Sequence, residues 1–209
     1  MVEVIITHFK PFFLGMLICI AGYVLFYIII AFSQIYAKSA PSQSEAGYAM
    51  GLGFSPQIFT ALLMYSAVSL AISITISGKC IDKIGRRIWL IWTTVAVAIF
   101  GLALPYFLEN GTTVSLFWFL IIGMGLIGMG YGPLSSFLPE LFPTHVRYTG
   151  ASLTYNIAGL FGASVAAIIA LPLNANYGLK GVGIYLTLNA VLSLIGLWFI
   201  TETRDRQLL

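Results

Sequence analysis

The segment GKCIDKIGRR, which runs from Gly78 to Arg87, decides the fold because it places four basic residues and one acid between two long apolar stretches. Positively charged residues collect in the short cytoplasmic loops of membrane proteins. We therefore interpret this segment as the cytoplasmic turn between two membrane helices. Gly78 and Gly85 favour a sharp turn or a close approach of backbones, and Asp82 is a natural partner for the surrounding cations.

The composition indicates a membrane protein, because 59% of the residues are hydrophobic and only 8% are charged, against about 25% charged residues in soluble domains. A helix needs about 20 apolar residues to cross a bilayer. The apolar runs are continuous, which excludes the alternating pattern of a β-barrel. We predict an all-α, polytopic membrane protein in which residues 1–209 form a single bundle of six transmembrane helices. The predicted spans are approximately 11–33, 56–77, 88–107, 113–138, 150–173 and 181–201.

The basic residues predict the orientation in the membrane. With six spans, eight of the 10 Lys and Arg residues fall on the face that carries both termini. Both termini are therefore predicted to be cytoplasmic, in a cell (inner) membrane with the lipid bilayer as surroundings. The net charge of +3 follows from this bias, so no nucleic acid partner is expected.

A second distinctive segment is PELFPTHVRYTG, from Pro139 to Gly150. Glu140 ends the fourth span and Arg147 begins the fifth, on either side of a turn that Pro143 interrupts. This spacing allows the two charges to meet across the turn or to reach other charged loops. An ordinary turn at the membrane interface explains the segment as well, and both interpretations remain open.

These segments resemble the C-terminal half of a major facilitator superfamily transporter, with the metabolite:proton symporter group as the nearest subgroup and sugar-porter-like signature loops. The resemblance covers nearly the whole chain but half of the family's usual length. Its first segment follows the family's loop signature in its second copy, at Gly78, Asp82, Lys83, Gly85, Arg86 and Arg87. The others are the inner-loop pattern at Glu140, Pro143 and Arg147, the continuation Tyr148-Thr149-Gly150, and an exit motif at Glu202-Thr203.

The resemblance implies a transporter of two six-helix halves with the substrate between them. This chain supplies one half, so it is a fragment, a half that needs a complementary N-terminal half, or a unit that assembles with another copy of itself. The resemblance also implies a cytoplasmic gate, in which Asp82 meets a helix N-terminus of the opposite half and basic residues reach acids such as Glu140. The gate residues are Gly78, Asp82, Lys83, Gly85, Arg86, Arg87, Glu140 and Arg147.

Neutral polar side chains are the candidates for substrate contacts, because no Asp, Glu, Lys, Arg or His falls within the six apolar cores. If transport is proton-coupled, as the resemblance implies, the titrating carboxylate belongs to the missing half. Hydroxyl groups that only bond neighbouring helices are the alternative. The candidates pair on three spans: Tyr23 with Tyr27, Tyr131 with Ser135, and Tyr155 with Asn156.

The fourth span is rich in glycine, with Gly128, Gly130 and Gly132 followed by Pro133. Small residues allow close packing, and glycine with proline eases bending, so packing and flexing during transport both remain open.

The leading function is secondary active transport of a small polar metabolite of the organic acid or osmolyte class. A truncated, non-transporting remnant or scaffold that needs a partner half is the alternative. We predict no enzyme activity and no catalytic, metal or cofactor site, since the spans offer no cluster of reactive side chains.

Overall fold

The computed structural model describes residues 2–200, where the chain is helical apart from its loops and one isolated bridge between Gln43 and Ala49. The all-α fold class is confirmed. The exit motif at Glu202-Thr203 and the cations Arg204 and Arg206 lie outside the described residues. The helices are α1 (Val2–Thr7), α2 (Phe9–Tyr27), α3 (Ser33–Lys38), α4 (Pro56–Ile84), α5 (Arg86–Leu108), α6 (Thr113–Glu140), α7 (Arg147–Gly159) and α8 (Val165–Phe199), with π-helical turns at Ile28–Phe32 and Leu160–Ser164.

Five helical stretches in the described part of the chain are long and apolar enough to cross a membrane. The last of them, Arg147–Phe199, contains 53 residues. A straight helix of that length extends about 80 Å, whereas a bilayer core is about 30 Å thick. Its backbone leaves helical geometry at Gly178, where φ is 67° and ψ is −170°. The count of six membrane crossings stays a prediction. The stretches are Phe9–Lys38, Pro56–Ile84, Arg86–Leu108, Thr113–Glu140 and Arg147–Phe199.

The turn expected over residues 78–87 is confined to one residue. Helix α4 continues through the charged residues to Ile84, and α5 begins at Arg86. Between them lies Gly85 with φ 100° and ψ 147°, a conformation that side chains with a Cβ strongly disfavour. The charged segment 79–83 extends α4 beyond the apolar part of the span. The change of direction between α4 and α5 is made at Gly85 alone.

Glycines bring α6 into close contact with α4. A methyl group at Gly128 would lie 2.6 Å from the carbonyl oxygen of Leu70, and one at Gly132 would collide with the hydroxyl of Ser77. Small residues allow such backbone approaches between membrane helices, where dispersion contacts and hydrogen bonds replace the hydrophobic effect as the cohesive force.

Buried apolar residues form two clusters. The larger one fills the bundle along α2, α5, α6 and α8. The smaller one lies at the end of the bundle where α6 meets α7, and it joins Val4 of α1 to Leu141, Phe142 and Val146 of the connecting segment. This cluster fixes the short helix α1 against the α6–α7 connection.

At the opposite end, the loop between α3 and α4 folds back on the bundle. The Leu52 amide donates to the Tyr36 carbonyl at 3.1 Å, and the fully buried Asn174 of α8 donates from Nδ2 to the Ala49 carbonyl at 3.1 Å. Neutral hydrogen bonds therefore hold this end together.

Candidate functional site

A cavity of about 180 Å³ lies between α2, α5, α6 and α7. Most of its wall is apolar, and polar groups come from tyrosine and threonine hydroxyls. Among the described residues that line it, none is Asp, Glu, Lys, Arg or His. The polar lining side chains are Tyr23, Thr93, Thr94, Tyr131 and Tyr155.

Tyr23 is held in place by α7. Its hydroxyl donates to the Tyr155 carbonyl at 3.1 Å, and the two rings lie 5.0 Å apart between centroids. A methyl group at Gly162 would lie 2.6 Å from Cβ of Tyr23, so this glycine lets the tyrosine backbone approach. The contact joins two of the predicted substrate residues into one pair.

Tyr131 and Ser135 lie on the open face of α6. Tyr131 is 54% exposed, and Ser135 follows one helical turn later. Ser135 lines a second, larger groove of about 580 Å³, which shares Tyr131 and Tyr155 with the first cavity. The groove continues to Arg147 at the start of α7. Together the two spaces form a path from the tyrosine-lined cavity to the end of the bundle with the charged turn.

Tyr27 and Asn156 lie apart from this path. The Tyr27 hydroxyl donates to the Ala167 carbonyl at 3.3 Å, and Asn156 donates from Nδ2 to the Ser152 carbonyl of its own helix at 2.8 Å. Neither residue lines the cavity or the groove. Tyr27 thus fits the alternative of a hydroxyl that bonds a neighbouring helix, whereas the Asn156 amide bonds within its own helix.

An ion pair joins the ends of α5 and α6. Nε of Arg86 lies 3.1 Å from Oε1 of Glu140, and the two side chains are only 18% and 16% exposed. Arg147, seven residues after Glu140, donates from Nη2 to the Thr144 hydroxyl at 3.3 Å. The Glu140 carboxylate thus reaches the charged turn at Arg86.

Three further gate residues lie at the surface. Gly78, Asp82 and Lys83 are exposed on the last turns of α4. Within residues 2–200, no basic nitrogen lies within 4.0 Å of the Asp82 carboxylate. The expected ion pairing of Asp82 with the neighbouring cations is therefore not formed within residues 2–200.

Arg87 has a structural role that the sequence did not reveal. Its Nε donates to the Leu197 carbonyl at 2.8 Å and its Nη2 to the Trp198 carbonyl at 3.0 Å. These carbonyls belong to the last turn of α8, where backbone acceptors lack helical partners. The sequence shows a cation that can bind a helix end, but not which helix end lies nearby. Thr93 and Thr94 of the cavity were also missed, since threonine in an apolar helix gives no functional signal.

Comparison with known proteins places these features in a family. The family of sugar (and other) transporters matches residues 43–209. A relative from Haemophilus influenzae that carries the provisional name of metabolite transport protein is 87% identical over 208 residues, which are 100% of this chain and 46% of the relative. The inner membrane metabolite transport protein YhjE of Escherichia coli is 39% identical over 96% of this chain and 44% of its own length.

A more distant relative is the proline/betaine transporter of Salmonella typhimurium, 30% identical over 77% of this chain and 34% of its own length. No solved structure gives a significant match. The chain spans about half the length of the first two relatives, 46% and 44%. The family match agrees with the signature residues of the turn at Gly85 and with the helical bundle. The chain therefore belongs to the sugar (and other) transporter family.

Proposed function

We propose that this chain is the C-terminal half of a secondary transporter that moves a small polar metabolite across the inner membrane by alternating access. The observation that carries the proposal is the continuous path from the tyrosine-lined cavity, through the groove at Ser135, to the end with the Arg86–Glu140 ion pair. A path that passes from the middle of a helical bundle to one end is what one wall of a transport pathway requires.

The exposure of the path supports its completion by a second half. Tyr131 is 54% exposed and Ser135 is exposed as well, although both lie in a predicted membrane span. Polar side chains at that depth favour contact with protein or a water-filled cavity over contact with lipid. We propose six crossings with both termini cytoplasmic, the sixth arising from the break at Gly178, and an opposing half that covers the path.

The charged turn fits a gate at the cytoplasmic end. Arg86 and Glu140 tie α5 to α6 within this half, whereas the exposed Asp82 offers a carboxylate to an opposing surface. A carboxylate is stabilised near the N-terminus of a helix. Asp82 therefore serves as the contact that closes the two halves against each other, and Arg86–Glu140 fixes the helix ends around it.

The lining suggests the substrate class. The hydroxyls of Tyr23, Tyr131 and Tyr155 carry no charge, so they suit polar solutes with no net charge. Proline and betaine, which appear in the name of one relative, are zwitterions of this kind. We propose an osmolyte or a small organic acid as the substrate. Proton coupling then requires a carboxylate from the other half, since the described cavity lining contains no acid.

The direct test joins this chain to the part of the 87% identical Haemophilus relative that it does not cover. Proteoliposomes containing the joined protein should take up proline, betaine or a small organic acid when a proton gradient is applied. The unmodified relative is the positive control. The present chain alone, at the same protein density, should take up none.

Two outcomes contradict the proposal. Uptake by the chain alone at the rate of the joined protein would show that no second half is needed. Failure of the joined protein to take up a solute that the relative transports, despite intact assembly, would show that the chain cannot supply the second wall of the pathway.

A further inference from the structure

We propose that Glu3, His8 and His145 form a binding site for a Zn²⁺ ion at the end of the bundle. One ligand atom from each of the three side chains lies within 4.8 Å of the other two. The chain contains only two histidines, separated by 137 positions, and the fold brings both to one of its carboxylates. Nothing in the transport function requires this meeting.

The geometry is organised by the neighbours of the three residues. Oε1 of Glu3 lies 3.0 Å from Nε2 of His145, and the two imidazole rings lie 6.2 Å apart between centroids at an interplanar angle of 64°. Val4 and Val146, each adjacent to one of the ligands, are buried in the same apolar cluster. The backbones that carry Glu3 and His145 are therefore fixed relative to each other.

His8 comes from a third backbone position. It lies between α1 and α2 with φ −117° and ψ 33°, and its amide donates to the Val4 carbonyl at 3.1 Å. The break in the helix at His8 directs the imidazole toward the connection that carries His145. A simple ion pair would need only Glu3 and His145, so the position of His8 is what distinguishes a metal site from a pair.

The ligand chemistry fits zinc. Two imidazole nitrogens and a carboxylate are a common Zn²⁺ ligand set, with metal–ligand distances of about 2.1 Å and water as the fourth ligand. Tetrahedral coordination at that distance separates ligand atoms by about 3.4 Å, which modest side-chain rotations achieve because Glu3 and His145 are exposed. Mg²⁺ prefers oxygen ligands and an octahedral shell, so it should bind weakly here.

Binding of Zn²⁺ would hold α1 against the α6–α7 connection. His145 lies between Thr144 and Arg147, which both line the larger groove. A bound ion therefore restrains the rim of the proposed pathway. This role is independent of the identity of the substrate.

The test uses the full 209-residue chain without an affinity tag of histidines, purified in detergent micelles and titrated with Zn²⁺ against a chromophoric chelator. We expect one Zn²⁺ per chain and no comparable binding of Mg²⁺. His8→Gln, His145→Gln and Glu3→Gln should each weaken Zn²⁺ binding at least about tenfold. Glu45→Gln, an exposed acid in the loop after α3, is the matched control and should leave the affinity unchanged.

Cys80→Ser removes the partly exposed thiol as an alternative ligand and should also leave the affinity unchanged. Circular dichroism of each variant checks that the helices remain intact. An unchanged Zn²⁺ affinity in His8→Gln would reduce the cluster to an ion pair and overturn the proposal. Loss of binding in Cys80→Ser would likewise place the ion elsewhere.

Discussion

The two faces of α6 differ in what they contact, because one packs tightly against α4 and the other lines open space. On one face, Gly128 and Gly132 approach α4 so closely that a methyl group would meet a backbone oxygen or a serine hydroxyl. On the other, Tyr131 and Ser135 line open space. The first face has no room for a side chain, and the second carries the exposed side chains of Tyr131 and Ser135.

This comparison resolves part of the ambiguity of the glycine-rich span. The glycines at 128 and 132 are explained by packing against α4, since they allow the helices to touch. Gly130 lies between them and lines the cavity instead, where a methyl group would meet only Cγ2 of Thr93 at 3.8 Å. Adjacent glycines on one helix thus have different roles, and substitutions can separate them.

The largest effect is expected for Gly128→Leu compared with Gly130→Leu. A leucine at 128 must displace α4 because its Cβ would lie 2.6 Å from the Leu70 carbonyl oxygen, and overpacking of this kind costs about 3 kcal/mol. Gly130→Leu extends into the cavity and should change the unfolding free energy by less than about 1 kcal/mol. Unfolding of the purified chain by increasing SDS in mixed micelles measures both. Equal losses would contradict the difference between the two faces.

A smaller effect is expected for Glu140→Gln at the end of the same helix. The variant leaves the guanidinium of Arg86 without the carboxylate that lies 3.1 Å away. The loss should be about 2 kcal/mol of unfolding free energy, below that of a fully buried pair because both side chains retain some solvent contact.

Asp82→Asn is the matched control for Glu140→Gln, since its carboxylate is exposed on α4. Its unfolding free energy should change by less than about 0.5 kcal/mol, yet uptake by the joined protein should fall. We propose that Glu140 stabilises this half internally, whereas Asp82 contacts the opposing half. Equal destabilisation by the two variants would contradict this division. So would full uptake with Asp82→Asn at equal abundance in the membrane.

A smaller loss of stability than that of Glu140→Gln is expected for the tyrosines of the cavity. Tyr23→Phe removes the hydrogen bond to the Tyr155 carbonyl and should cost about 1 kcal/mol of unfolding free energy. Tyr131→Phe removes a hydroxyl from an exposed side chain, so stability should be unchanged while uptake by the joined protein decreases. SDS unfolding and uptake assays on the same preparations separate the two. Loss of stability in Tyr131→Phe without loss of uptake would reverse the assignment.

Much of the fold could be predicted because membrane helices follow from long apolar runs. The predicted turn contained the break at Gly85. That the break is confined to one residue could not be predicted, because charged residues are compatible with a helix and do not mark where it ends. The sequence paired Tyr23 with Tyr27 on the first span, yet it could not show that Tyr27 bonds to the Ala167 carbonyl. Neighbours across helices depend on packing, and spacing along one helix does not encode them.

The charged end shows the same limit. The sequence offered several cations to Glu140, and the fold brings Arg86 to it while Arg87 binds the carbonyls at the end of α8. Likewise Glu3, His8 and His145 gave no signal as a group, because the two histidines lie 137 positions apart in the sequence. Only the tertiary arrangement of α1 and the α6–α7 connection brings them together.

The central claim is that the open face of α6 forms part of a transport pathway, and thiol labelling tests it most directly. In the joined protein, with Cys19→Ala and Cys80→Ser to remove the native thiols of this chain and all thiols of the added part replaced, one cysteine is introduced as Ser135→Cys or Ser136→Cys. Ser135 lines the groove and Ser136 does not. The account predicts that a transported solute changes the rate of N-ethylmaleimide labelling several-fold at position 135 and leaves position 136 unaffected. Solute-independent labelling at position 135, in protein that still transports, would contradict it.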